Sequence, residues 1–210
     1  MSSIKPMISV LEELFTSFNT KFYNGEMEKP VITISPDTTK GSYGWTTSWK
    51  SWSDKEETNE ENEDGFYEIN ICSEYMNRTP KQITATLLHE MVHIWHLQNG
   101  IKGTSRGSTY HNKKFKDTGE SHGLIINHSE KNGWSVTELN EDAEKYVDYL
   151  NEKNAFEFGL HRTKMYKGDK AKKKSSSRKY ACPDCGMTVR ATKELFVICG
   201  DCNVTMESEE

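Results

Sequence analysis

Apolar residues recur at three- and four-residue spacing near the start of the chain, and this pattern predicts an amphipathic helix over about residues 6–23. Its stripe consists of Met7, Leu11, Leu14 and Phe18, with Ile8 and Phe15 beside it. Asn24-Gly25 is expected to end this helix. A second stripe at the same spacing predicts a later helix over about residues 137–153, and its members are Leu139, Ala143, Tyr146, Val147 and Leu150.

Alternation of apolar and polar positions predicts three strands between these helices. The first, Val31 to Ser35, is rich in β-branched residues and lies between two prolines. The other two place large side chains at every second position, namely Tyr43, Trp45, Thr47 and Trp49 in one and Tyr67, Ile69 and Ile71 in the other. Residues 53–65 between them carry seven acidic residues and one lysine, which indicates a solvated loop. An antiparallel sheet around this loop is expected.

A further helix is predicted by its capping residues. Thr79-Pro80-Lys81-Gln82 combines an N-cap threonine, a proline at the first helical position and a glutamine at the capping-box position. Gly100 is expected to end the helix. Within it lies His89-Glu90-Met91-Val92-His93. Helical spacing places the two histidines one turn apart on one face, where they can hold one Zn²⁺, with Glu90 beside them.

This arrangement has a definite chemistry. Zinc lowers the pKa of its water toward ~7, and a neighbouring glutamate can accept the proton as the hydroxide attacks a carbonyl. The same Glu90 can pass the proton to the leaving amine, which is peptide-bond hydrolysis. The competing interpretation is that His89 and His93 are partly exposed helix residues without a metal.

The third protein ligand of a catalytic zinc has several candidates in the sequence. They are His111 after a Gly/Ser/Thr/Arg loop, Glu141 or Glu144 on the last helix, and His122. His96 lies too far round its own helix to close a tetrahedral site and is expected to be a surface or packing residue. The metzincin pattern would need glycine at position 96 and histidine at position 99, whereas the chain has His96 and Asn99, so that class is excluded.

The aromatic strand and the first cysteine have structural interpretations. The rings of Tyr43, Trp45, Trp49 and nearby Trp52 are expected to form core on one face of the sheet. Alternatively, Tyr43 and Trp45 line a substrate cleft beside the metal, where a substrate could add as a strand along the sheet edge. Cys72 is interpreted as a small core residue.

The other four of the five cysteines form two Cys-x-x-Cys pairs separated by 13 residues. Cys182, Cys185, Cys199 and Cys202 would give a closed tetrahedral site for one structural Zn²⁺, with no open position for chemistry. Short strand candidates at residues 188–191 and 195–198 complete a zinc ribbon. Its folding should depend on the metal because about 25 residues cannot build a sufficient apolar core. A redox dithiol is the less favoured alternative.

Charge along the chain predicts the domain organisation. The net charge is −9 over residues 1–160, +8 over 161–180 and −4 over 181–210, within a 210-residue chain of net charge −5. The basic stretch is almost free of apolar residues and indicates a flexible linker. We therefore expect a main domain at 1–160, a linker at 161–179, a ribbon at 180–204 and an acidic tail at 205–210. The linker has two possible roles: it either keeps the protein soluble or binds the phosphates of nucleic acid. The candidate phosphate-binding residues are Lys172, Lys173, Lys174, Arg178 and Lys179.

The composition argues against a membrane protein and favours an intracellular location. No run approaches the ~18 apolar residues that a spanning helix requires, so membrane association is not expected. The start of the sequence lacks the basic and apolar segments of a secretory signal, and paired cysteines at metal-site spacing fit a reducing compartment. An intracellular protein is therefore expected, in the cytoplasm, or in a nucleoid or nucleus if it associates with DNA.

Residues 11–115 resemble the SprT-like metalloprotease domain, the family that includes the Spartan proteases. The motifs occur in the same order, from a helix and turn through three strands to a His-Glu-x-x-His helix and a His-x-x-x-Phe motif. In this sequence they are Leu11 to Phe22, Tyr23-Asn24-Gly25, Val31 to Ile34, Gly41-Ser42-Tyr43-Gly44-Trp45, Glu68 to Ile71, His89 to His93, and His111 with Phe115. The resemblance implies that His111 is the third zinc ligand, although Asn112 stands where the family usually has glycine.

The same resemblance implies a small α+β zincin-type domain, with helices on a short mixed or antiparallel sheet, that cleaves proteins. SprT-like proteins often carry a C-terminal zinc ribbon, and better-known relatives act on DNA-bound proteins. The resulting expectation is a monomeric zinc endopeptidase with a protein substrate and DNA as a further partner. The alternatives are a non-catalytic zinc-containing module that binds nucleic acid or protein, and a zinc amidase with another substrate.

Overall fold

The computed structural model describes residues 3–37, 41–55, 65–154, 156–163 and 178–209. They divide into two compact units, one within Met1–Lys164 and one within Met165–Glu210. Together the described residues form four helices and three small sheets, which confirms the predicted α+β class. No helix in this part of the chain is both long enough and apolar enough to cross a bilayer.

The helices of the first unit are α1 (Lys5–Phe22), α2 (Pro80–Gln98), α3 (Lys113–Ser121) and α4 (Glu141–Asn154). Helix α2 begins with the predicted capping box, since the Thr79 hydroxyl accepts from the Gln82 N–H at 3.3 Å and the Gln82 side chain accepts from the Thr79 N–H at 3.1 Å. This reciprocal pairing satisfies two backbone donors at the start of the helix that carries the histidines.

The first sheet consists of β1 (Val31–Ser35), β2 (Gly44–Thr46) and β3 (Glu68–Cys72) in the order β1-β3-β2. Strand β2 runs antiparallel to β3, as predicted, whereas β1 runs parallel to it. The sheet is therefore mixed. Strand β3 lies in the centre, with β1 and β2 at the two edges. Its last four residues are all buried. The acidic tract at 56–64 lies outside the described residues.

A second sheet was not predicted from the sequence. It contains β4 (Thr104–Ser105), β5 (Tyr110–His111), β6 (Leu124–Ser129) and β7 (Gly133–Leu139) in the order β4-β5-β7-β6. Leu139 pairs with Leu124 at the end of β7, so the last helix begins at residue 141 and not at 137. Asn140 separates the two elements, and its side chain accepts from the Ala143 N–H at 2.9 Å.

The core of the first unit lies between the helices and both of its sheets, since Leu124, Ile126 and Leu139 of the second sheet belong to it. Helix α1 buries the predicted stripe, and Cys72 is fully buried as expected. After α4 the chain packs back on this unit, because Phe156 joins the core and the Arg162 N–H donates to Ser73 O at 2.9 Å. The interval 164–177, with Lys172, Lys173 and Lys174, lies outside the described residues.

The second unit is an antiparallel sheet of β8 (Arg178–Ala181), β9 (Thr188–Ala191) and β10 (Glu207–Glu209), in the order β10-β8-β9. Its small core contains Tyr180, Cys182, Cys199 and Met206. Strand β10 pairs with β8, so the sheet extends past the predicted ribbon boundary at residue 204 and includes part of the segment expected to be an acidic tail. Residues 195–198 contribute one isolated bridge, between Ile198 and Thr205, in place of the second predicted strand.

Candidate active site

Three imidazoles converge in the first unit. Helix α2 presents His89 and His93 one turn apart, and β5 presents His111. The Nε2 atom of His111 lies 3.1 Å from Nε2 of His89 and 3.1 Å from Nε2 of His93. The described residues contain one other cluster of potential metal ligands, formed by the four cysteines.

The turn between β6 and β7 places the third imidazole. The carbonyl oxygen of Asn132 accepts from the His111 backbone N–H at 2.9 Å and from its Nδ1–H at 3.2 Å. This second bond leaves the Nε2 lone pair of His111 directed toward the other two histidines. Gly133 follows with φ of +70°, and a Cβ there would lie 2.2 Å from the carbonyl oxygen of His111. The close approach of the two strands therefore requires glycine at this position.

Asn112 stands where the SprT-like pattern usually has glycine, and the structure gives this asparagine a role of its own. Its side chain caps α3 by accepting from the N–H groups of Lys114 and Phe115, at 2.9 and 3.3 Å. Its amide also donates to Lys102 O at 2.8 Å. Asn112 thus ties the loop before His111 to the helix after it, and the turn remains compatible with a ligand at position 111.

Phe115 packs against all three histidines. Its ring centroid lies 4.7 Å from that of His89, 4.8 Å from that of His93 and 4.5 Å from that of His111. The ring is fully buried. The His-x-x-x-Phe motif therefore supplies one of the three converging histidines and, four residues later, the apolar surface against which all three pack.

Burial keeps the three imidazoles neutral. It lowers the pKa of His89 to about 3, with a smaller effect from His111, and lowers the pKa of His93 well below its usual value. The pKa of His111 is also lowered by burial, and the Asn132 hydrogen bond partly opposes this effect. Neutral imidazole is the form that binds metal. Three converging neutral nitrogens fit the donor set of a catalytic zinc with one open position. Thr137 adds an outer contact, since its Oγ1 lies 3.5 Å from His89 Nδ1.

Glu90 lies beside these ligands on α2 and is only 5% exposed. Its Oε2 accepts from the hydroxyl of Thr46 at 2.9 Å. Burial raises the pKa of the Glu90 carboxyl to about 8, and the Thr46 bond partly opposes this rise. A carboxyl group that exchanges its proton near neutral pH is suited to general acid and base catalysis.

The three histidines and Glu90 open onto a cleft of about 1760 Å³. Tyr43, Trp45 and Trp49 line it. The expectation that the aromatic rings form core is wrong at three positions, because Tyr43, Trp49 and Trp52 are 51%, 65% and 44% exposed. All three rings lie outside β2, which begins at Gly44 and ends at Thr46, so the expected alternating strand does not extend over them. Trp45 is half-buried.

The other ligand candidates lie elsewhere. His122 stacks on Tyr23 with ring centroids 4.1 Å apart, and Glu144 forms an ion pair with Lys81 at 3.3 Å. Glu141 pairs with Lys145 on the exposed side of α4. His96 is only 4% exposed. Of the two roles expected for it, surface residue or packing residue, it has the second.

The four ribbon cysteines also converge. The ligand atoms of Cys182, Cys185, Cys199 and Cys202 all lie within 4.8 Å of one another, which is compatible with one zinc. Hydrogen bonds, chiefly from the backbone N–H of Cys185, lower the pKa of Cys182 to about 7, whereas the Cys185 side chain and burial raise the pKa of Cys202 to about 12. Of the candidate phosphate-binding residues, Arg178 and Lys179 belong to β8 of this unit.

Sequence reasoning missed four residues that support the site: Thr46, Asn132, Gly133 and Thr137. Asn132-Gly133 is a turn dipeptide between two apolar segments, which is a hairpin signal that could have revealed β6 and β7. Thr46 and Thr137 carry no such signal, because their roles depend on which strand faces α2.

Comparison with known proteins agrees with the site. The model of the SprT-like family matches residues 11–132, which include the three histidines, Glu90 and Phe115. Neither the curated proteins nor the solved structures gave a match.

Proposed function

This chain belongs to the SprT-like family, and from that premise we propose that it is a zinc-dependent endopeptidase acting on protein substrates. The observation that carries the proposal is the convergence of three neutral histidine nitrogens beside a buried glutamate at an open cleft. A closed metal site would need a fourth protein ligand, and the described residues place none with these histidines.

His89, His93 and His111 would hold the zinc. When bound there, zinc would supply Lewis acidity that lowers the pKa of water and polarises a carbonyl group. The chain's own contribution is to keep the three imidazoles neutral and oriented, through Asn132 for His111 and through the Phe115 ring for all three. Orientation by such outer contacts commonly accounts for about 10- to 100-fold in metal affinity.

Glu90 would manage the protons of the reaction. Its carboxylate takes a proton from the attacking water as the new C–O bond forms, and then gives it to the departing amine nitrogen as the peptide C–N bond breaks. The raised pKa supports both roles, because a carboxyl group of ordinary pKa would hold the proton too weakly to return it near neutral pH. A position next to His89 on α2 keeps Glu90 beside the ligands.

The substrate would bind as an extended chain along the cleft. Strand β2 is at one edge of its sheet, and its residues line the cleft together with Tyr43 and Trp49. An edge strand offers unpaired backbone groups, and exposed aromatic rings offer apolar contacts for substrate side chains. A pair of carboxylates or a phosphate-binding loop would have indicated another reaction. This site instead combines three potential metal ligands with one acid–base group.

We further propose that a structural zinc in the ribbon and the basic residues before it recruit the monomeric enzyme to proteins bound to DNA. Support comes from the charge of +8 over residues 161–180 and from the four clustered cysteines. Binding through such residues should weaken steeply as salt is raised.

The test compares wild type with Glu90→Gln on a basic DNA-binding protein, with and without single-stranded DNA. Wild type should cleave the protein, Glu90→Gln should keep only a small residual rate, and DNA should accelerate the wild-type reaction. Glu138→Gln is the matched control, because Glu138 also lines the cleft but is exposed. Equal cleavage by wild type and Glu90→Gln would overturn the mechanism. Two zincs per chain without cleavage of any protein would instead favour the non-catalytic binding module.

A further inference from the structure

Two alternate positions on β2 face the Glu90 carboxyl group. Thr46 Oγ1 lies 2.9 Å from Glu90 Oε2 and 3.4 Å from the Glu90 backbone oxygen, so its hydrogen bond is directed to the carboxyl group. Among the described residues, no other group donates a hydrogen bond to this carboxyl. Thr46 reaches across from the sheet to the helix, 44 residues away in sequence.

Gly44 faces the other oxygen. A Cβ at this position would lie 3.2 Å from Glu90 Oε1 and 2.9 Å from the backbone oxygen of Asn70. It would also lie 3.0 Å from the methyl carbon of Thr86, one turn before Glu90 on α2. Residues two apart on a strand point to the same face. The strand therefore leaves room for one carboxyl oxygen at Gly44 and binds the other at Thr46.

The strand itself gives no reason for threonine in preference to valine at position 46. Valine has nearly the same shape, shares the β-branched stiffness of threonine and is equally favoured in strands. What threonine adds is the hydroxyl, and its partner is Glu90. The geometry of the contact therefore singles out the hydroxyl as the functional part of the side chain.

We propose that Thr46 is a positioning residue that fixes the orientation of the Glu90 carboxyl group, with Gly44 providing the space for its second oxygen. Held through Oε2, the carboxyl group keeps Oε1 for the reacting proton. This inference rests on the proposed peptidase function, in which Glu90 moves that proton. The Thr46 hydroxyl itself touches neither substrate nor metal in this scheme and acts through Glu90.

The decisive comparison is Thr46→Val against Thr46→Ser. Without the hydroxyl, kcat should fall about 10- to 100-fold, the effect of one lost hydrogen bond at an acid-base group, while KM stays within about twofold. Serine should restore most of kcat because it restores the hydroxyl. Zinc content and melting temperature should match wild type in both variants. Thr33→Val is the matched control, since Thr33 lies on β1 of the same sheet and its hydroxyl bonds to Glu68 and Asn70, but it neither lines the cleft nor contacts Glu90.

A double variant tests whether Thr46 acts through Glu90. If it does, Thr46→Val should slow the residual reaction of the Glu90→Gln enzyme by less than about twofold, because the group that it positions has already been removed. A drop in the double variant as large as in the single one would overturn the inference. So would a Thr46→Val enzyme with wild-type kcat.

A crystal structure of Thr46→Val provides a readout that does not depend on activity. The Glu90 carboxyl group is expected to occupy a different rotamer or several rotamers, whereas an unchanged single rotamer would overturn the inference. An inactive wild type would refute the proposed peptidase function instead, which distinguishes the two failures.

Discussion

Gly133 lies directly against His111, so close that a methyl group on its Cα would stand 2.2 Å from the carbonyl oxygen of that histidine. The neighbouring Asn132 carbonyl accepts two hydrogen bonds from the same histidine. One turn therefore positions both the backbone and the ring of His111, the candidate third ligand, although 21 residues separate Asn132 from His111 in sequence.

Gly133→Ala should consequently weaken zinc binding at the histidine site. The added methyl group must push β5 and β7 apart, which lengthens both bonds to Asn132 and misdirects Nε2 of His111. We expect the affinity to fall at least about tenfold, measured by zinc titration of the full chain with its cysteines already loaded.

Gly25→Ala is the control for backbone strain. Gly25 has a similar φ of +75°, but a Cβ there would meet no atom within 4 Å. The Gly25→Ala variant should lose about 1 kcal/mol of folding stability and keep its zinc affinity unchanged. Equal zinc affinities for the two variants would contradict the proposed role of the turn.

Replacing Phe115 should separate stability from metal binding. Phe115→Leu removes the ring that packs against three imidazoles, and Phe15→Leu removes a ring that is equally buried on α1. Both should lower the free energy of unfolding by about 1 kcal/mol. Only Phe115→Leu should also lower zinc affinity, by several-fold in a competition assay with a chelator. A parallel loss in both variants would mean that the ring acts through general stability.

His96 should make stability fall in acid. It is buried on α2, and its Nε2 lies 2.8 Å from Thr118 Oγ1, while a Cβ at Gly103 would lie 2.0 Å from its Nδ1. Burial lowers its pKa to about 4, with smaller effects from His122 and Lys114. Between pH 6.5 and about 4 the unfolded chain therefore binds a proton that the native state does not.

The contribution of His96 to stability is complete above pH 6.5 and is lost as the pH falls toward 4. Chemical denaturation at several pH values and saturating zinc should show a slope up to about 1.4 kcal/mol per pH unit steeper for wild type than for His96→Gln. Identical slopes for wild type and His96→Gln would show that His96 is not held neutral.

Zinc removal should unfold the second unit more completely than the first. The ribbon buries only a small core, of which two members are cysteines, whereas the first unit has an extended apolar core. In Cys182→Ser, amide hydrogen exchange should become fast over residues 178–209 and stay slow in α1 and α2. Cys72→Ala, which leaves the cluster intact, should preserve protection in the ribbon.

Local signals in the sequence were sufficient for three of the four helices and for the candidate ligands His89 and His93 on α2. Helices α1, α2 and α4 have strong apolar periodicity or complete caps, and the four cysteines have a spacing that depends on the metal alone. His111 was more difficult, because its proximity to α2 depends on a turn formed by Asn132. From spacing alone it remained one of several candidates, and the SprT-like resemblance selected it.

The remaining features depend on long-range pairing. The parallel pairing of β1 with β3 leaves no local mark, since the same alternation suits both strand directions. The rings of Tyr43 and Trp49 look like core in a strand pattern, yet they lie outside β2 and line the cleft. Thr46 is ordinary as a strand residue, and only the packing of β2 on α2 gives it a contact with Glu90.

The buried ring of Phe115 also limits how a metal ion can enter or leave. It covers one side of the three imidazoles, whereas the cleft gives access from another. Chelators and competing ions must therefore approach by the route that a substrate would use. A peptide held in the cleft should slow the loss of the ion, so the rate of metal exchange would report on occupancy of the cleft even when no bond is cleaved.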